Sequence, residues 1–135
     1  MSTADTRVFG SPAHRWIGIE PGSRSSAHAE ARLAVRPEFL QEEGVVHGGI
    51  LATLLDATCV YALFPELGTR DSMTSIEFKV NFLAPGLEGR GPIDARADVL
   101  KSGRSLALVK AVATQGGKAI AEGLFTYVVQ RDAVR

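Results

Sequence analysis

The chain has a single cysteine, Cys59. One thiol cannot form an internal disulfide framework, and without a nearby Cys-x-x-Cys or His pair it offers no metal or redox site. Inside an apolar run it reads as a small buried hydrophobe. A surplus of one charge is also missing, since fifteen Lys and Arg balance fifteen Asp and Glu. No global field draws the chain to nucleic acid or to an acidic membrane, so neither is expected as a partner. The opening MSTADTRVFGSPAHRW lacks the charged start and apolar core of a signal peptide. The apolar run Ile50–Phe64 is too short to span a bilayer and contains Asp56. A cytoplasmic, soluble protein is the expectation.

What remains is ordinary globular composition, 45% hydrophobic and 22% charged. The 135 residues fit one domain, 1–135, able to bury roughly 68% of its unfolded surface. No repeat or linker divides it. Residues 1–14 carry little pattern and read as a loose arm or a short helix. Trp16–Ile19 reads as a brief strand before the turn signal Pro21-Gly22-Ser23. From Ala27 to Val35 apolar and polar residues mostly alternate, as in a half-buried strand. Pro37 ends it, and Gln41–Gly44 form a polar loop.

Gly48–Phe64 is long enough for about four to five helical turns, and Pro65 stops it. Its apolar residues lie on every side, the mark of a helix buried all round. Beyond Thr74 the period is two. Ile76, Phe78, Val80 and Phe82 alternate with polar residues, and Ile93–Val99, Ser105–Thr114 and Ala119–Val129 read as strands. The last three, joined by short turns at Lys101–Arg104 and Gln115–Gly117, form an antiparallel meander. The pattern predicts an α+β domain, a curved antiparallel sheet around one hydrophobic helix.

Asp56 is the one charged residue of that helix. An isolated carboxylate in an apolar interior is costly unless paired, hydrogen-bonded or neutralised, and desolvation makes it a stronger base. It either marks a functional site or bonds Thr53 or Thr58, or faces water at a subunit boundary. The preceding Gly48-Gly49 lie where the first helical turn leaves backbone N–H groups unpartnered at the positive end of the dipole. Glycine would let a substrate oxygen approach them, or would merely shape a tight helix entry.

Gly48 and Asp56 are eight residues apart, which is roughly 12 Å along the helix axis and about 80° around it. One small acyl group cannot touch both on one helix. If both act on one carbonyl, the second comes from another copy of the chain, as in a two-fold dimer with helices antiparallel side by side.

His47-Gly48-Gly49, Asp56 nine positions after the His, VNFLAPG at Val80–Gly86 and Ser102-Gly103-Arg104 together resemble the hotdog-fold acyl-CoA thioesterases. The nearest likeness is to the phenylacetate-degradation (PaaI-type) branch of the 4-hydroxybenzoyl-CoA thioesterase superfamily, over about Gly18 to Val129. That resemblance implies hydrolysis of an acyl-CoA, with coenzyme A present only as part of the substrate and no separate cofactor or metal. Asp56 would be the general base or the nucleophile, and the Gly48 N–H would polarise the carbonyl, with Gly49 beside it. Gln41, six residues before His47, matches the Asn or Gln that helps hold the carbonyl. Thr74, eighteen residues after the acid, matches a water-orienting hydroxyl, with Ser75 next to it. His47 would assist near the leaving thiolate or brace the loop. Lys101, Gly103 and Arg104 lie where relatives meet the coenzyme A phosphates. Many relatives have Leu-Arg-Pro where this chain has Leu83-Ala84-Pro85, so any contact from that arginine is absent. The resemblance further implies a homodimer, assembled into a homotetramer. A non-catalytic acyl-CoA-binding module is the alternative. A dehydratase would want a His and an acid cooperating across the dimer, but His14 and His28 lie near the N-terminus outside any motif, and His47 already has a place at the helix entry.

Overall fold

The computed structural model describes residues 11–68 and 70–132. Most of the expected arm, 1–10, lies outside the described residues. The chain then forms a short helix α1 (Pro12–Ile17), strands β1 (Ile19–Ser25) and β2 (His28–Leu33), helix α2 (Gly48–Leu63), and strands β3 (Ser72–Phe82), β4 (Ile93–Ser102), β5 (Leu106–Gln115) and β6 (Lys118–Gln130).

Two expectations near the N-terminus are corrected. Trp16 and Ile17 end a helix rather than open a strand, because Pro12 pre-sets its first turn and Gly18, at φ 90°, supplies the left-handed cap. Pro21-Gly22-Ser23 does not reverse the chain. It sits within β1 as an irregularity between Pro21 and Arg24, tolerated because β1 is an edge strand. The reversal falls instead beside Ala27, at φ 61°.

All pairings are antiparallel and run β1-β2-β4-β5-β6-β3. The expected meander β4-β5-β6 is present, but β3 does not join β4. It crosses to pair with β6 and becomes the far edge of the sheet.

Small residues make the floor on which α2 rests. Register aligns Ala29, Ala97 and Ala111 across one row, and Ala31, Ala95, Ala113 and Ala121 across the next. All seven are buried. Without bulky side chains in those rows the helix backbone can approach the sheet, and Leu54, Leu55, Ile93 and Phe125 close the packing around it. Each such large apolar side chain contributes about 1.5–3 kcal/mol on burial. The helix lies over β2, β4 and β5. With the 3-10 turn Phe64–Glu66 that follows where Pro65 interrupts the α-helical bonding, it runs Gly48–Glu66, 19 residues. Length therefore does not exclude this segment from a membrane, contrary to the expectation; its place is the core of the sheet.

β3 lies at the margin of α2, which meets it where the Phe82 ring packs by Gly48. Residues paired directly across strands share a face, so Ser75, Phe78 and Phe82, opposite Tyr127, Phe125 and Ala121, point to the helix side. Yet Phe78 and Phe82 remain 51% and 56% exposed. An unpaired strand edge and an uncovered apolar face coincide there.

Candidate active site

Asp56 sits in the middle of α2, partly buried. Neither threonine proposed as its partner takes that part. Thr53 Oγ1 donates to the Gly49 carbonyl and Thr58 Oγ1 to the Leu54 carbonyl, each one turn back. The donor to Asp56 comes from β6, where the Tyr127 hydroxyl lies 2.7 Å from Oδ1. Asp56 Oδ2 has no hydrogen-bond donor among the described residues. Burial pushes the Asp56 carboxyl above its ordinary range, while the Tyr127 hydrogen bond and the charge of His14 draw it partly back. Cys59, one turn further on, flanks the same hydroxyl, and burial pushes its thiol up. The Tyr127 hydroxyl is itself pushed up, chiefly by burial, and so stays a donor.

Tyr127 was missed in the sequence because β6 reads as an apolar strand. The available signal was that a tyrosine on the buried face of a strand needs a partner for its hydroxyl, and Asp56 is the lone acid of the core helix. His14, which belongs to no motif, approaches Asp56 from α1. His28 is elsewhere, held between Asp98 at 2.7 Å and Glu30 at 3.2 Å.

At the other end of α2, His47 is the N-cap, and its Nδ1 accepts from the Gly49 N–H at 2.9 Å. The His47 carbonyl takes the Ile50 and Leu51 N–H groups. The Gly49 amide is thus occupied, whereas the Gly48 N–H has no acceptor among the described residues. A Cβ on residue 48 would lie 2.9 Å from Cζ of Phe82, so a side chain there would press on that ring. Gln41 Oε1 accepts from the Glu43 and Val45 N–H groups, which ties its carbonyl into its own loop. A cleft of about 550 Å³ joins these parts, lined by Gln41, Val46, Gly48, Leu51, Phe82 and Pro85 among others.

The remaining expected residues divide. Ser75 pairs with Tyr127 and shares its face, but Thr74 pairs with Val128 and projects to the opposite side of the sheet. Within one chain Thr74 is therefore separated from Asp56, and its neighbour has the better position. Lys101 and Arg104 are exposed in the β4–β5 hairpin. Arg131 steadies that hairpin by donating to the Gly103 carbonyl at 2.9 Å. Ser105 accepts from Val129, which puts the hairpin at the Tyr127 end of the sheet, away from Gly48. Gly48 and Asp56 share one unbroken helix, so the separation of roughly 12 Å stands. No group of three or more His, Cys, Asp or Glu able to hold a metal gathers among the described residues.

A six-stranded antiparallel sheet around one buried helix is the hotdog fold, and solved structures share it closely. A thioesterase family protein from Silicibacter pomeroyi is 27% identical with a TM-score of 0.85, covering 96% of this chain and 99% of its own. The PaaI protein of the phenylacetic acid degradation operon of E. coli is 21% identical with a TM-score of 0.80, covering 93% and 92%. A hypothetical thioesterase from Streptococcus pneumoniae, solved with coenzyme A, is 20% identical with a TM-score of 0.75, covering 85% and 89%. The chain belongs to the thioesterase superfamily, whose family model matches residues 43–121, from the loop before His47 into β6.

Proposed function

We propose that two copies of this chain hydrolyse an acyl-CoA thioester in sites that they share. The observation that carries this reading is the division of the chemistry along β3. Asp56 and Tyr127 lie at the Ser75 end of the strand, and the open Gly48 N–H lies under Phe82 at the other. Antiparallel pairing of two β3 edges about a two-fold axis sets the Ser75 end of one chain beside the Phe82 end of the next. It would also satisfy the free strand edge and cover Phe78 and Phe82. Leu124, 45% exposed on the outer face, offers a surface on which dimers could pair into a homotetramer.

In such a site the thioester carbonyl points at the Gly48 N–H of one subunit, where helix dipole and amide stabilise the developing oxyanion. Asp56 of the other subunit removes a proton from the attacking water, or attacks the carbonyl itself. The tetrahedral adduct then expels the coenzyme A thiolate, which on the first route takes the proton held by Asp56; on the second, water then cleaves the acyl–aspartyl anhydride to the free acid and restores the carboxylate. Burial raises this carboxyl and so makes its ionised form a stronger base. Ser75, on the face shared with Tyr127, offers a hydroxyl to orient that water, and Lys101 and Arg104 at the same end of the sheet are available to the phosphates. Coenzyme A in the solved Streptococcus pneumoniae thioesterase supports this substrate class, and a cytoplasmic location, where acyl-CoA is made and used, accords with it. Asp56→Asn keeps size and shape while removing the base. It should lower free-thiol release from a panel of aryl and straight-chain acyl-CoAs at least about 1,000-fold with the fold unchanged. Turnover near the wild-type rate on the best substrate of that panel would exclude the mechanism, and tight acyl-CoA binding without release by the wild type would favour a sensing module.

A further inference from the structure

We infer that Tyr127 is the positioning residue of this site: its hydroxyl holds one carboxylate oxygen of Asp56 so that the other stays free for the reacting water or carbonyl. The inference rests on the reading of Asp56 above.

The geometry is specific. Tyr127 lies on β6, between Ala107 of β5 and Ser75 of β3 in the register. Its ring is fully buried, so the side chain has little freedom to choose another partner. Its hydroxyl meets Oδ1 of Asp56 at 2.7 Å and lies 3.4 Å from the Asp56 carbonyl, which fixes it against the helix. An aspartate on a helix has two torsions to hold, and one strong hydrogen bond to a charged acceptor from a rigid donor holds both. Because Thr53 and Thr58 bond backbone carbonyls instead, no other described side chain donates to this carboxylate. The titratable groups facing Asp56 are Tyr127 from β6, Cys59 from its own helix and His14 from α1. Of these only Tyr127 combines a short contact with an immobile base.

The bond also tunes the acid. A donor to the charged form favours that form, so Tyr127 opposes the effect of burial and keeps Asp56 ionised to lower pH than burial alone would allow. Removing it should therefore move the acid limb of the pH–rate profile upward.

The test is Tyr127→Phe, which keeps the ring and its packing. We expect kcat to fall about 10- to 100-fold, the value of a hydrogen bond to a charged group, with KM little changed and the acid limb of kcat/KM displaced to higher pH. A carbon-13 NMR titration of the Asp56 carboxyl, which needs no substrate, should show the same upward displacement. A fall in rate with neither displacement would reduce Tyr127 to a packing residue and overturn the inference, as would an unchanged rate. Should the phenylalanine chain fail to fold, 3-fluorotyrosine at position 127 keeps the hydroxyl as a stronger donor. It must then displace the limb downward, and no displacement overturns the inference equally. Failure of the hydrolase reading is distinguishable, because Asp56→Asn would then retain turnover while the NMR titration still reports on the Tyr127 bond.

Discussion

If Asp56 of one chain works with Gly48 of another, two inactive chains can complement each other. One partner carries Asp56→Asn. The other carries Gly48→Ala, whose Cβ would lie 2.9 Å from the Phe82 ring and crowd the approach to the Gly48 amide. Phe82 is half exposed and its ring can turn aside, and alanine favours the helix over glycine by up to about 1 kcal/mol. The alanine chain should therefore fold about as well as the parent while losing roughly 100-fold or more in kcat/KM through the blocked oxyanion donor. The distances decide the geometry. A carbonyl must lie about 3 Å from the amide and be attacked by an oxygen at a similar distance. Two such contacts reach about 6 Å, half of the roughly 12 Å that helical rise puts between the two groups on one chain. Co-expression with two affinity tags and tandem purification isolates the mixed dimer. One of its sites holds both intact groups and the other holds neither, so it should show about half of the wild-type turnover while each parental homodimer shows almost none. A mixed dimer as inactive as its parents would refute the shared site.

Two further outcomes follow from the same structure. Phe78→Lys sets a charge on the uncovered face of β3, where Phe78 stacks 5.2 Å from Phe125; it should cost about 1 kcal/mol within the chain but yield monomers by sedimentation and abolish turnover, and a fully active dimer would argue against the β3 interface. Asp71, buried near the end of β6, accepts from the Gly68 and Asp132 N–H groups at 2.7 and 2.9 Å and from Arg131 at 3.3 Å. Asp71→Ala leaves these donors without their acceptor and should destabilise the fold by about 2–4 kcal/mol in urea unfolding; a loss under about 1 kcal/mol would mean that water replaces them.

Much of the fold was legible because its signals are local. The core helix declared itself by apolar residues on every side between Gly48 and Pro65, and β4, β5 and β6 by alternation around short turns. The errors came where a local signal had two structural meanings. Pro21-Gly22 is a turn signal, but on an edge strand it is equally an irregularity, because no strand lies on its outer side to need the missing N–H. Gly18 caps a helix only because Pro12 begins one close before it. At the site, Asp56 stood out as an acid in an apolar run, and its distance from Gly48 followed from helical rise alone. Its actual partner could not be read in this way. Thr53 and Thr58 are the neighbours along the chain, but a helical threonine satisfies its hydroxyl on the carbonyl one turn back. Tyr127 is seventy-one positions away.

The sequence by itself determined an α+β domain, a buried helix with one acid, and the impossibility of that acid reaching its own glycine, since each depends on the geometry of a single element. Only the tertiary structure decided that β3 crosses to β6 and leaves an open edge, that Ser75 rather than Thr74 shares the face of Tyr127, and that the Tyr127 hydroxyl meets Asp56. Those are matters of strand order and register. They arise from pairings between distant segments, for which the alternation within any one strand carries no instruction.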